Sequence, residues 1–124
     1  MNLLTEKLFT GTWRSYKAFL KSGSVRLYNL QSFIEMDFKE DNVLTIVQYT
    51  DAKAKRIIKT DNWTTEFSNK RHFLIIQQGV LSYEVITINH TALVLLDNNS
   101  NEKLFFAKLP YWETIIRNNT TLVF

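Results

Sequence analysis

The sequence has no cysteine, and its 124 residues include one proline and three glycines. The missing cysteine excludes a disulfide framework, a thiolate zinc site, an iron–sulfur cluster and a cysteine nucleophile. The glycines, Gly11, Gly23 and Gly79, stand apart, so no glycine-rich loop is available to cradle phosphate. The two histidines, His72 and His90, fall in no His-Glu-x-x-His spacing, and the carboxylates are scattered. Both histidines read as surface residues in preference to a lone haem ligand. No metal or other cofactor is expected, and no catalytic residue stands out. Charged residues are 22%, hydrophobic residues 45% and the mean hydropathy is −0.16. Those values exclude a disordered chain and an apolar membrane-spanning segment.

What is present is strand-forming residues. Val, Ile, Thr, Phe, Tyr and Trp make up 47 of the 124 positions, the composition of a strand-rich single domain covering 1–124. Short extended runs alternate with turn residues along the whole length. Thr12 to Leu20 reads as a strand. Leu30 to Lys39 reads as another, with Leu30, Ile34, Met36 and Phe38 on one face and Gln31, Glu35, Asp37 and Lys39 on the other. Glu40-Asp41-Asn42 reads as a hairpin turn. Further strands are expected over Val43–Thr50, Asn62–Phe67, His72–Gln77, Leu81–Asn89, Leu93–Leu96 and Lys103–Leu109. Eight or nine strands with short connections suit an antiparallel up-and-down barrel of eight to ten strands.

Two segments differ. Leu3, Leu4 and Leu8 within residues 2–9 suit a short amphipathic helix covering an apolar opening. After Pro110, Trp112, Ile115 and Ile116 have helical spacing, so a short helix ending near Asn118-Asn119 is expected, then a closing strand over Thr120–Phe124. One long strand over 111–124 is the alternative. The first residues, Met1-Asn2-Leu3-Leu4-Thr5-Glu6-Lys7, show no charged segment followed by an apolar one, so a cytoplasmic location is expected unless an export signal has been removed.

The net charge is +3 and the pI about 9.2. The excess gathers in Lys53, Lys55, Arg56 and Lys59, with Lys70 and Arg71 close behind. Solvated lysines that protect sheet edges explain this cluster better than a nucleic-acid face, which needs denser charge.

Gly11-Thr12-Trp13, at the head of the first strand, resembles the Gly-x-Trp opening of lipocalin barrels. Phe38 to Leu44 is similar to the Phe-x-x-Asp-Gly hairpin of bacterial lipocalin-like domains, with Asn42 in the glycine position. Asn62-Trp63-Thr64-Thr65 resembles their second Gly-x-Trp strand, with Asn62 for glycine. Tyr83 to Ile88 followed by Leu93-Val94-Leu95 resembles their Tyr-x-Ile and Leu-x-Leu pair. The likeness runs from about residue 8 to 109 and extends to the wider calycin group, which includes fatty-acid-binding-protein-like barrels. It implies a calyx that holds a small apolar or amphipathic molecule, lipid or fatty-acid-like, without chemistry. It also implies a basic side chain from a late strand lying across Trp13, with Lys108 and Arg117 as candidates and Trp63 at the same barrel end.

If Trp13 closes one end, Ser15, Lys17 and Phe19 are expected to climb its face toward the other, with Lys17 anchoring a ligand carboxylate. Met36, Phe38, Phe67 and Phe106 are expected to offer apolar surface, and Tyr49 and Tyr83 hydroxyl donors. Glu84 is expected to face away from Tyr83 and Val85. The partner expected is therefore a small hydrophobic ligand, with no membrane insertion. The alternatives are a small barrel enzyme acting on a hydrophobic substrate, or an interaction module for protein or nucleic acid using residues 53–71.

Overall fold

The structure, a computed structural model, describes residues 7–50, 55–76 and 81–121, apart from the side chains of 55–59, 61 and 119–121. Nine strands run in order: β1 (Gly11–Phe19), β2 (Val25–Leu27), β3 (Phe33–Phe38), β4 (Val43–Tyr49), β5 (Lys55–Ser68), β6 (Arg71–Ile76), β7 (Leu81–Ile88), β8 (Ala92–Asp97) and β9 (Glu102–Lys108). All pairings are antiparallel. From β3 to β9 each strand pairs with the next in sequence, and β1 pairs with both β3 and β9. Eight strands thus close into an up-and-down barrel, which leaves β1 and β9 no free edge. The short β2 continues the line of β3 along β1: Lys17 to Phe19 pair with β2, and Gly11 to Arg14 with β3. Between them the chain makes a tight excursion in which Asn29 bridges Ser32. That excursion removes Leu30 from the strand expected at 30–39 and leaves it 41% exposed.

Hairpin turns form where the sequence permits left-handed backbone. Asn42, Asn69, Lys70 and Asn101 all have positive φ. Asn69 and Lys70 together make the two-residue turn whose twist matches the flanking strands of β5 and β6. Asp97 uses its carboxylate to accept the backbone N–H groups of Asn99 and Ser100 in the β8–β9 turn.

Alternation fills the barrel. Ile34, Met36 and Phe38 point inward as their period-two pattern predicts, together with Leu44 and Ile46, Leu74 and Ile76, Leu93 and Leu95, and Leu104 and Phe106. Three bulges interrupt this parity, in β1, β5 and β7. The bulge between Ser15 and Lys17 has the largest effect on the expected site, since it turns every later residue of β1 to the opposite face. Ala18 is therefore fully buried inside, while Lys17 and Phe19 lie outside.

A helix (Leu109–Thr121) continues from β9 without a loop and lies on the outside of β1 and β9. Trp112 and Ile116, one turn apart, pack on Ala107 and Phe33. The Trp112 indole N–H donates to the Ser15 carbonyl at 2.9 Å. Arg14 lies over the rings of Phe33 and Trp112 and pairs with Glu35 at 2.8 Å. Thr120 and Thr121 belong to this helix, so the closing strand expected from Thr120 begins as helix instead; residues 122–124 lie outside the described residues. Residues 7–9 are helical, in agreement with the expected N-terminal helix, whose earlier residues lie outside the described set.

Candidate functional site

The two ends of the barrel are built differently. At one end stand the start of β1, the turns after β3, β5 and β7, and the last residue of β9. This end is plugged. Phe9, fully buried, packs its ring against Phe38 at 5.3 Å, Trp63 at 5.6 Å and His72 at 6.0 Å. The Trp13 indole N–H donates to the Phe9 carbonyl at 2.8 Å. Lys108 reaches back across the Trp13 ring, 4.5 Å from its centroid, and its ammonium donates to the carbonyls of Leu8 and Thr10. Burial lowers the Lys108 pKa. Gly11 makes this possible: its φ is +124°, and a Cβ there would meet Lys108 Cε at 2.8 Å.

Lys108 is thus the basic residue across Trp13. Strand parity could have selected it, since it shares the inward row with Leu104 and Phe106. Arg117 instead lies on the C-terminal helix, where it pairs with Glu113 one turn away at 2.7 Å. Trp63, 4% exposed, is at the plugged end as expected. Its indole N–H and His72 Nε2 are buried without a hydrogen-bond partner among the described groups. His72 is therefore no plain surface residue: it stacks on Phe67 at 4.2 Å, and burial lowers its pKa.

The opposite end is lined less tightly. Six partly buried apolar or aromatic residues pack against the interior cluster among the described residues. Five of them, Leu20, Tyr28, Ile34, Leu81 and Tyr83, stand toward this end, and Ile88 toward the plugged one. Polar side chains gather on the same inward face. Tyr83 is opposite Asp97, and Asp97 is opposite Glu102, so three adjacent strands present a hydroxyl and two carboxylates. Burial raises the Tyr83 pKa, with a smaller contribution from the Asp97 charge, so the phenol stays a donor over a wide pH range. Arg26, exposed, stands on β2 opposite the inward Ala18. The Tyr28 side chain and, more weakly, Glu102 raise its pKa. The Tyr28 hydroxyl is buried close to the guanidinium, whose charged form it favours. Arg26, Asp97 and Glu102 were missed in the sequence, because the register that places them inward crosses three separate strand pairs.

The remaining expected site residues divide by face. Met36, Phe38 and Phe106 are inside and at most 2% exposed, as part of the packed interior. Tyr83 is inside at the looser end. Lys17, Phe19 and Tyr49 are outside: Lys17 lies over the Phe105 ring at 4.7 Å, Phe19 is 38% exposed, and Tyr49 stacks on Phe33 beside the helix. Phe67 keeps the inward parity of Trp63 and Thr65 but sits beyond the barrel end, 57% exposed. Glu84 faces outward as expected and pairs with Arg71. In the basic region, Lys53 and the side chains of Lys55, Arg56 and Lys59 lie outside the described residues, as does the Gln78-Gly79 turn. No group of three or more histidines or carboxylates able to hold a metal occurs among the described residues.

No protein-family model and no curated protein matches the sequence. A solved structure does: a lipocalin-like protein from Bacteroides uniformis has a TM-score of 0.58 at 12% identity, with 82% of this chain and 98% of that one covered. Together with the closed antiparallel barrel, this establishes a lipocalin-like fold.

Proposed function

We propose that the chain binds a small apolar or amphipathic molecule in the looser end of the barrel and does no chemistry on it. The observation that carries this reading is the gradient of burial along the interior. Trp13, Phe38 and Leu93 toward the plugged end are at most 1% exposed, while inward-facing Leu20, Ile34, Leu81 and Tyr83 keep contact with solvent beside a fully buried Ile76. Apolar surface left wet inside a closed sheet gains about 25 cal/mol per Å² when a ligand covers it. Tyr83, Arg26 and the two carboxylates would orient the ligand's polar part at the rim.

Titration with the neutral apolar probe N-phenyl-1-naphthylamine tests this. Saturable one-to-one binding is expected, weakened more than tenfold by Leu81→Trp, which fills the interior, and unchanged by Tyr49→Phe on the outer wall. Absence of saturable binding, or equal binding by Leu81→Trp, would overturn the proposal.

A further inference from the structure

The C-terminal helix shields only part of the outer wall, around Ser15, Tyr16 and Ala107. Farther along β1 and β9, and on β2, an outer face remains at the looser end. Strand register fixes its composition. Lys17 stands between Leu27 and Phe105, and Phe19 stands between Val25 and Lys103. Val25 is 50% exposed, Leu27 53% and Phe19 38%. Large apolar groups clustered on a surface mark an interaction site more often than scattered ones do.

The charge on this face has one sign. Lys17 lays its ammonium over Phe105 and Phe19, and Lys21 is exposed in the adjoining turn. β1 and β2 contain no acidic residue, and Glu102, the single acid of β9, belongs to the inward row. A second copy of the chain docked here about a two-fold axis would bring lysines against lysines. Apolar side chains level with ammonium groups fit instead the boundary between acyl chains and anionic headgroups.

We infer that the outer face of β1, β2 and β9 docks on an anionic lipid surface, with Phe19, Val25 and Leu27 entering the headgroup boundary and Lys17, Lys21 and Lys103 facing the phosphates. The inference is independent of any ligand inside the barrel.

Co-sedimentation with vesicles tests it. Binding is expected to vesicles of phosphatidylcholine mixed with phosphatidylglycerol and to fall with added salt, and pure phosphatidylcholine vesicles should retain far less protein. The double variant Val25→Ser/Leu27→Ser should lose at least tenfold, and Lys21→Gln and Lys103→Gln about fivefold each. Ile86→Ser, exposed on β7 away from this face, should bind as the parent does. Lys21, Val25, Leu27 and Ile86 are exposed and Lys103 partly so, so the variants keep the fold, which circular dichroism checks. Three results would overturn the inference: no binding to anionic vesicles at low salt, binding indifferent to lipid charge, or a concentration-dependent dimer that Leu27→Ser abolishes.

Discussion

The plugged and looser ends of this barrel share strands, alternation and chain, yet their inward rows terminate in different chemistry. At the plugged end, Phe38 and Trp63 meet edge to face, Phe9 packs tilted against both, Trp13 bonds to the Phe9 carbonyl, and Lys108 spans the gap to the carbonyls of Leu8 and Thr10. At the looser end, the inward rows carry Tyr83, Asp97, Glu102 and Arg26. The difference shows that closing a sheet into a barrel does not decide whether its interior is core or site. A helical segment carrying one aromatic ring turns one end into core, and charged residues at the ends of the inward rows keep the other wet.

Substitutions can break this contrast, starting with the largest effect. Trp13→Ala should cost about 3–5 kcal/mol in urea unfolding, since it removes a fully buried ring, its hydrogen bond to Phe9 and the surface under Lys108. Leu44→Ala, next to the plug and 1% exposed, should cost about 2–5 kcal/mol. Gly11→Ala should cost about 1–3 kcal/mol, because its φ of +124° disfavours any Cβ and the new methyl meets Lys108. Leu81→Ala at the looser end should cost less, about 1–2 kcal/mol, since part of the side chain is already in contact with solvent. Equal costs for Leu44→Ala and Leu81→Ala would show that the two ends are packed alike.

The smallest effect is a pH dependence. The folded-state pKa of His72 is lowered by burial, so as the pH falls the unfolded imidazole takes up its proton first. The stability tied to neutral His72 is therefore present above about pH 6.5 and lost as the pH falls from there through the lowered folded value. Unfolding measured from pH 7.5 to 5 should show this slope, and His72→Phe should flatten it.

Much of the fold was legible because period-two alternation is strong in β3, β8 is a short apolar run between turn residues, and Asn42 and Asn69-Lys70 mark the β3–β4 and β5–β6 turns. Trp13 and Trp63 were legible as one barrel end, while the basic residue across Trp13 was open between Lys108 and Arg117. The site was harder to read. A single extra residue at Tyr16 carries Lys17 and Phe19 out of the interior, and nothing in the local composition marks that bulge. Tyr49 went outside because β4 runs without a break from Leu44, and its inward row ends at Gln48. Arg26, Asp97 and Glu102 converge only through register, which depends on pairings between distant strands.

The Lys108 contacts join residues 98 and 100 positions apart, and the β1–β9 seam joins the same two regions. β1 therefore has no permanent neighbour on one side until β9 has been made. Ribosome-bound chains that stop short of β9 should remain open sheets, with β1 offering an unpaired edge. Closure is a late, long-range event, and barrel assembly should be slow for a domain of this size.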